Sequence, residues 1–171
     1  MGIMRCCLKV ITKSDADNTY ISNLLAYVTG KNTLPGYYGG ASVCPEYAYE
    51  QMMTVKKYFG KTTGNQLVHF IISFNNLLYG EEEALEIGYR ISRYYGDRYQ
   101  IVFGVHPKVS HSENGTVSSY VHIHFVMNSV SFVDGRMYAD NKGDTKKFVD
   151  FLKSVTKDYH WKVVYGVNDR D

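Results

Sequence analysis

The stretch that most restricts how this chain can fold is Val121-His122-Ile123-His124-Phe125-Val126-Met127-Asn128. Its residues alternate at a period of two, the pattern of a half-buried β-strand. Val121, Ile123, Phe125 and Met127 fall on one face, and His122, His124, Val126 and Asn128 on the other. Two imidazoles at i and i+2 on one strand face lie close enough to share a ligand, and a metal ion is the commonest one. A pair of solvated surface histidines is the plain alternative.

A third histidine bears on that choice. Residues 99–106 form another alternating run, with Ile101, Phe103 and Val105 on a core face and His106 on the opposite one. Residues 107–120, between the two runs, are rich in Ser, Asn and Gly and read as a hairpin loop. An antiparallel pair closed by that loop places His106 beside His122 and His124. Three neutral imidazoles with open coordination positions suit a catalytic cation better than a closed structural site.

At 171 residues, 44% of them hydrophobic, the chain is long enough for one domain with a sizeable core. No apolar run approaches membrane-spanning length, and no apolar segment with a cleavage site follows the first residues, so neither membrane insertion nor secretion is expected. Cys6, Cys7 and Cys44 form no CxxC, which argues against a disulfide framework or a zinc knuckle and for reduced thiols in a cytoplasm. A net charge of +2 excludes a histone-like polycation, so contact with nucleic acid has to come from a local basic face. Tyrosine is over-used, with 16 residues. Tyr37, Tyr38, Tyr47, Tyr94, Tyr95 and Tyr138 stand in polar, turn-like or helical-surface surroundings, where an aromatic ring can stack on an unpaired base or simply fill a half-buried position.

In chain order, residues 5–12 read as a first strand and 15–18 as a turn with a helix N-cap. A helix follows over 19–28, with Ile21, Leu24, Leu25 and Val28 as its apolar stripe and Gly30 ending it. Tyr20 and Tyr27 lie two helical turns apart on one of its faces. Residues 31–45, holding Pro35, Gly36, Gly39 and Gly40, read as a loop, and 46–59 as a second helix closed by Gly60. Residues 67–74 are the strongest strand, apolar on both faces and therefore central, with Leu67, His69, Ile71 and Ser73 sharing one face. A third helix spans 81–95, with Leu85, Gly88, Ile91 and Ser92 toward the sheet. Asp134-Gly135 signals a hairpin within 130–138. A last helix, capped by Asp144, covers 145–159 with Phe148, Phe151, Leu152 and Val155 buried, and 161–165 returns as a short strand. Without repeats or a linker, the pattern predicts one α+β domain over 1–171, a central antiparallel sheet with helices packed on it. Residues 167–171 carry no turn or cap, which suggests the N-terminal part of a longer protein.

The order of these motifs resembles the relaxase (mobilisation nuclease) domain of conjugative plasmids and integrative elements, within the HUH endonuclease class. His122-Ile123-His124-Phe125-Val126-Met127-Asn128-Ser129 is similar to the family's histidine–hydrophobic–histidine strand followed by asparagine. Val105-His106 resembles the segment that supplies its third histidine. Leu25-Ala26-Tyr27-Val28-Thr29-Gly30-Lys31-Asn32-Thr33 resembles its N-terminal tyrosine motif, and His69-Phe70-Ile71-Ile72-Ser73-Phe74 its central strand ending in Ser-Phe. The resemblance spans residues 20–165. It departs from the family at Lys108, where relatives often carry an aspartate that would orient an imidazole; Asp15, Asp17 and Glu113 are the candidates to replace it. The long loop after His106 also carries His111, a second candidate for third ligand.

The resemblance implies Tyr27 as nucleophile, His106, His122 and His124 as ligands of one divalent cation (Mn²⁺ or Mg²⁺), and nicking of single-stranded or hairpin origin-of-transfer DNA through a 5′-phosphotyrosine. Accessory relaxosome proteins are implied as further partners. The expected DNA path takes Lys31, Lys56, Lys57 and Lys61 around the first two helices, Arg136 and Lys142 after the histidine strand, Tyr37 and Tyr38 as stacking rings, and His69, Ser73 and Asn128 from the face of the trio. Arg136 stands out because its hairpin leaves the sheet that carries the histidines. A rolling-circle replication initiator would use the same chemistry. A DNA-hairpin-binding module with structural zinc would bind without nicking, and a metallohydrolase would cut without a covalent adduct.

Overall fold

The computed structural model describes residues 5–11, 17–30, 33–74, 80–111, 113–115, 117–139, 141–156 and 160–165, with side chains except at 5–11, 108–111, 117–120, 142 and 160–165. Six strands form one sheet: β1 (Arg5–Ile11), β2 (Tyr38–Ala41), β3 (Leu67–Phe74), β4 (Ile101–His111), β5 (Val117–Asn128) and β6 (His160–Tyr165). Their order across the sheet is β2-β4-β5-β3-β1-β6. Neighbours run antiparallel except β1 and β6, which pair in parallel. Four helices, α1 (Asn18–Thr29), α2 (Ala48–Tyr58), α3 (Glu81–Tyr95) and α4 (Lys142–Val155), pack on this sheet, so the fold is α+β.

Both faces of the sheet are used. Ile87 and Ile91 of α3 and Phe148 and Leu152 of α4 bury against Phe70, Ile72, Phe103, Ile123, Phe125 and Met127. These strand residues are the ones that alternation placed on a single face. The close seat of α3 depends on Gly88, where a Cβ would lie 2.3 Å from the Phe103 ring. On the other face Ile21, Leu24, Leu25 and Val28 of α1 and Met52 and Met53 of α2 pack against Leu67, Val102 and Val126. The next rows of that face change from apolar to polar, and the histidines stand there.

Several sequence expectations are corrected. Residues 107–120 are not a loop: β4 and β5 continue their ladder through Pro107↔Val121 and Ser110↔Ser118 to His111↔Val117. Pro107 is tolerated because β4 is an edge there, β2 pairing only with Ile101–Gly104. Val105 N–H already points outward, to Tyr37 O at 2.9 Å, so two residues on the missing proline N–H falls on the outer side. Residues 31–45 contain β2, hidden by Gly39 and Gly40, which have low strand propensity. Helix α4 is capped by Asn141, whose side chain accepts from Gly143 and Asp144 N–H, and ends at Val155. Phe151 and Val155 are half-buried there, with Phe148 and Leu152 the buried pair. The segment 130–138 holds only one bridge, Val130↔Met137, around a turn in which Gly135 has φ 70°.

Lys56 and Asn128, both expected to meet DNA, lie inside the protein at 0% exposure. Successive helical residues point about 100° apart, so of the Lys56-Lys57 pair one turns inward with Met52 and Met53 and the other outward. Lys56 Nζ donates to Gln66 O (2.5 Å) and Asn128 Oδ1 (2.6 Å). Asn128 Nδ2 donates to Gln100 Oε1 (3.0 Å), and its Oδ1 also accepts from Val130 N–H (3.1 Å). This network ties the end of α2 to the ends of β3 and β5. It is a structural clasp, because burial leaves neither group a route to solvent.

Burial pushes the Lys56 amine down from 10.5 to about 7. The folded state therefore gives up its proton near pH 7 while the unfolded chain holds it to about pH 10.4. Between these limits the unfolded state binds more protons, so stability from this group rises with pH, at most about 1.4 kcal/mol per pH unit, and falls as pH drops toward 7. Lys56→Met removes the titration. Urea unfolding at pH 7.5 and 9 should show the wild type gaining stability relative to the variant across that interval. Parallel curves for the two proteins would mean that Lys56 stays charged when folded.

Candidate active site

Register builds the site. Reading across β4, β5 and β3, one row is Val102, Val126 and His69, the next Gly104, His124 and Ile71, and the third His106, His122 and Ser73. Residues in these rows share the face that α1 and α2 cover only in part. His106 and His124 are buried at 2% and 5%, whereas His122 is half-buried at the opening. One nitrogen from each of the three lies within 4.8 Å of the others. Two nitrogens bound at about 2.1 Å to one ion can be no more than roughly 4.2 Å apart, so convergence needs only a small turn of the rings. The donor set fits a divalent cation, since each member is an imidazole with a nitrogen lone pair when neutral.

The surroundings of His106 favour that form. Burial lowers its pKa, partly opposed by the hydrogen bond to the Val28 carbonyl. Its Nε2 lies 3.2 Å from Val28 O and 3.0 Å from Thr33 Oγ1. The Thr33 hydroxyl donates to the same Val28 O (2.5 Å), so it accepts from His106 Nε2–H, leaving Nδ1 with the lone pair. Val28 O belongs to the last turn of α1, whose carbonyls lack helical partners and carry partial negative charge. One structural need, capping α1, is thereby met by the group that orients a candidate metal ligand.

The same turn carries Tyr27. Val28 faces the core at 0% exposure, and Tyr27, one position earlier, is 41% exposed with its ring over the histidines. It sits edge-on to His106 (centroids 5.1 Å) and His124 (5.3 Å). After α1 the chain turns at Gly30, Thr33 N–H bonding Gly30 O, and returns along β4 through Leu34 N–H to Val105 O (3.1 Å). That return holds the end of α1 above β4. The approach is close: a Cβ on Gly104 would fall 1.8 Å from Val28 O.

The other expected residues are distributed differently. His69 is 2% exposed and its Nε2 lies 3.1 Å from His124 Nδ1, so it stands behind the trio and offers no DNA contact. Ser73 is half-buried, opposite His122. Tyr37 packs partly against the core, and Tyr38 donates to Glu46 Oε1 (2.9 Å), whose carboxylate also holds the phenol pKa up. Lys57 and Lys61 are exposed. Arg136 is 84% exposed and 3.8 Å from Asp134, in a turn past the end of β5. Asn128 is four residues from His124, about 14 Å at 3.4 Å per residue, so that turn lies away from the trio. Lys31 and Asp15 lie outside the described residues, as do the side chains of Lys142, Lys108 and His111. His111 pairs with Val117, five residues along β4 from His106, and the clustered trio is His106, His122 and His124.

Of the candidate carboxylates, Asp17 caps the opposite end of α1, its Oδ1 accepting from Tyr20 N–H (2.7 Å), and Glu113 is exposed in the β4–β5 turn. Neither reaches the trio. Sequence reasoning missed Thr33 and Gly104. A glycine inside an apolar strand is a signal of close backbone approach, and Gly104 carries it.

A sheet-borne cluster of three imidazoles, one open to solvent, defines a candidate metal centre. A family model described as relaxase, MobA/VirD2-like, nuclease domain matches residues 20–161, and the chain belongs to that family. Membership makes it a relaxase nuclease domain, with DNA-nicking endonuclease activity and metal dependence, and the trio could hold the ion. No curated protein and no solved structure matches the chain. Among the described residues no helix is long and apolar enough to cross a membrane.

Proposed function

We propose that this domain nicks single-stranded origin-of-transfer DNA with Tyr27 as nucleophile, to start conjugative mobilisation. The observation that carries the reading is the Tyr27 ring lying against two members of the histidine trio at the open edge of the site. A divalent cation held by His106, His122 and His124, Mn²⁺ or Mg²⁺, would polarise the scissile phosphate and offset its charge. With no carboxylate in the trio, the ion would keep its full charge toward the phosphate.

Tyr27 Oη forms the new bond to phosphorus as the bond from phosphorus to the 3′ oxygen breaks. The phenol gives up its proton and the departing 3′ oxygen gains one, leaving a 5′-phosphotyrosine and a free 3′-hydroxyl. An ester to tyrosine retains the bond energy needed for rejoining, which hydrolysis by water would discard. Half-buried His122 and Ser73 pair in the outermost row of the site, the side from which the strand would reach Tyr27.

The test is incubation of a labelled oligonucleotide carrying a suspected transfer origin with the protein and Mn²⁺. The expected result is a slower band that survives denaturation and whose nucleotide-bearing peptide contains Tyr27. An adduct on Tyr20, which packs against the α1–α2 core, or cleavage without any adduct, overturns the assignment. Adduct formation on a replication origin but not a transfer origin makes the domain an initiator of rolling-circle synthesis.

A further inference from the structure

We infer that His69 is a positioning residue for the metal centre: it sets the tautomer of His124 so that the nitrogen facing the trio carries a lone pair. This rests on the reading of His106, His122 and His124 as ligands. His69 stands one row below His124 on the neighbouring strand, paired with Val126, in the diagonal relation that lets side chains on one sheet face meet. The two rings stack at 27° with centroids 5.4 Å apart, and Nε2 of His69 lies 3.1 Å from Nδ1 of His124. Both residues are buried, at 2% and 5% exposure.

A neutral imidazole carries one hydrogen, so the bond between the two rings has two arrangements. If His69 Nε2–H donates, the hydrogen of His124 resides on Nε2, and His124 presents a donor where a cation needs a lone pair. If His124 Nδ1–H donates to His69 Nε2, Nε2 of His124 carries the lone pair that a cation needs. Only the second arrangement is compatible with a cation among the three histidines. In that arrangement His69 carries its own hydrogen on Nδ1 and acts as an acceptor toward His124.

His69 thus takes the role that a carboxylate or backbone carbonyl commonly plays behind a metal-bound histidine. The chain treats His106 similarly, with the Val28 carbonyl and Thr33 hydroxyl as acceptors. All three acceptors are neutral, and they would stand in for the carboxylate that relatives often carry at the position of Lys108. A neutral support orients the ring without adding negative charge near the ion.

The experiment is Mn²⁺ titration by calorimetry, with imidazole ¹⁵N shifts of the metal-free protein, on wild type, His69→Leu and His69→Gln. The wild type should show His124 as the Nδ1–H tautomer. His69→Leu should lose about 10–100-fold in Mn²⁺ affinity and show His124 redistributed between tautomers. His69→Gln, which restores an acceptor oxygen near the position of Nε2, should recover most of the affinity. A wild-type His124 protonated on Nε2 overturns the inference, and a folded His69→Leu that binds Mn²⁺ as tightly as wild type overturns it while leaving the trio standing. If His69→Leu does not fold, the wild-type tautomer and the His69→Gln affinity decide. Absence of Mn²⁺ binding by the wild type overturns the metal reading and this inference with it.

Discussion

Tyr27→Phe is expected to abolish covalent attachment and strand cleavage while fold and DNA affinity stay close to wild type. The substitution removes one oxygen and keeps the ring, so the edge contacts with His106 and His124 survive. At 41% exposure the position carries little of the core's stability, and a surface change of this kind usually stays within about 0.5 kcal/mol. The chemistry has no such tolerance. Without a nucleophile, what remains is water attack at a phosphate positioned by the rest of the site, and losing a nucleophile elsewhere costs on the order of 10⁶ in rate. Urea unfolding, anisotropy with a labelled strand and a denaturing gel for the adduct separate the three properties. Persistent cleavage at more than about a hundredth of the wild-type rate would mean that another group attacks; unfolding of the variant would mean that the phenol oxygen is structural.

The parts of this site that were readable from sequence are those that depend on period. Alternation put His122 and His124 on one strand face and His106 on the matching face of a neighbour, and the register pairs His106 with His122. The same rule separated Phe70 and Ile72 from Leu67 and His69, which now lie on opposite faces of the sheet. The misses depend on what covers each position. Lys56 and Asn128 carry polar labels but meet between α2 and the sheet, where they satisfy one another. His69 shares a face with the trio but sits a row deeper, so it touches His124 instead of solvent. Arg136 follows the histidine strand in sequence, yet the strand's length carries it away from the histidine trio. Strand β2 was hidden because Gly39 and Gly40 reflect a tightly covered edge, a tertiary demand with no local periodic signal.

Gly104→Ala should separate the proposed nucleophile, Tyr27, from the histidine trio. In an ordinary strand the exchange would stabilise, since glycine costs roughly 0.5–1 kcal/mol relative to alanine. Here the added methyl falls 1.8 Å from Val28 O and 3.0 Å from Thr33 Oγ1, the atoms that hold His106. Ordinary contact needs about 3.5 Å, and Val28 O is backbone, so α1 itself has to lift by roughly 1–2 Å. Overpacking of this kind costs about 1–3 kcal/mol. The larger effect is on geometry, because a displacement of about 1 Å in a reacting group can cost around 10²-fold in rate. Tyr27 moves with α1 while His122 and His124 stay on β5, so cleavage should fall at least about 10²-fold with modest change in DNA affinity. Mn²⁺ affinity should fall as well, because His106 loses its acceptors. Gly88→Ala is the matched control. Its methyl meets the Phe103 ring at 2.3 Å on the opposite face of the sheet, so it should destabilise comparably yet leave the folded enzyme cutting at a near-normal rate. Equal loss of cleavage per folded molecule in both variants would show that the close seat of α1 on Gly104 is a matter of stability alone.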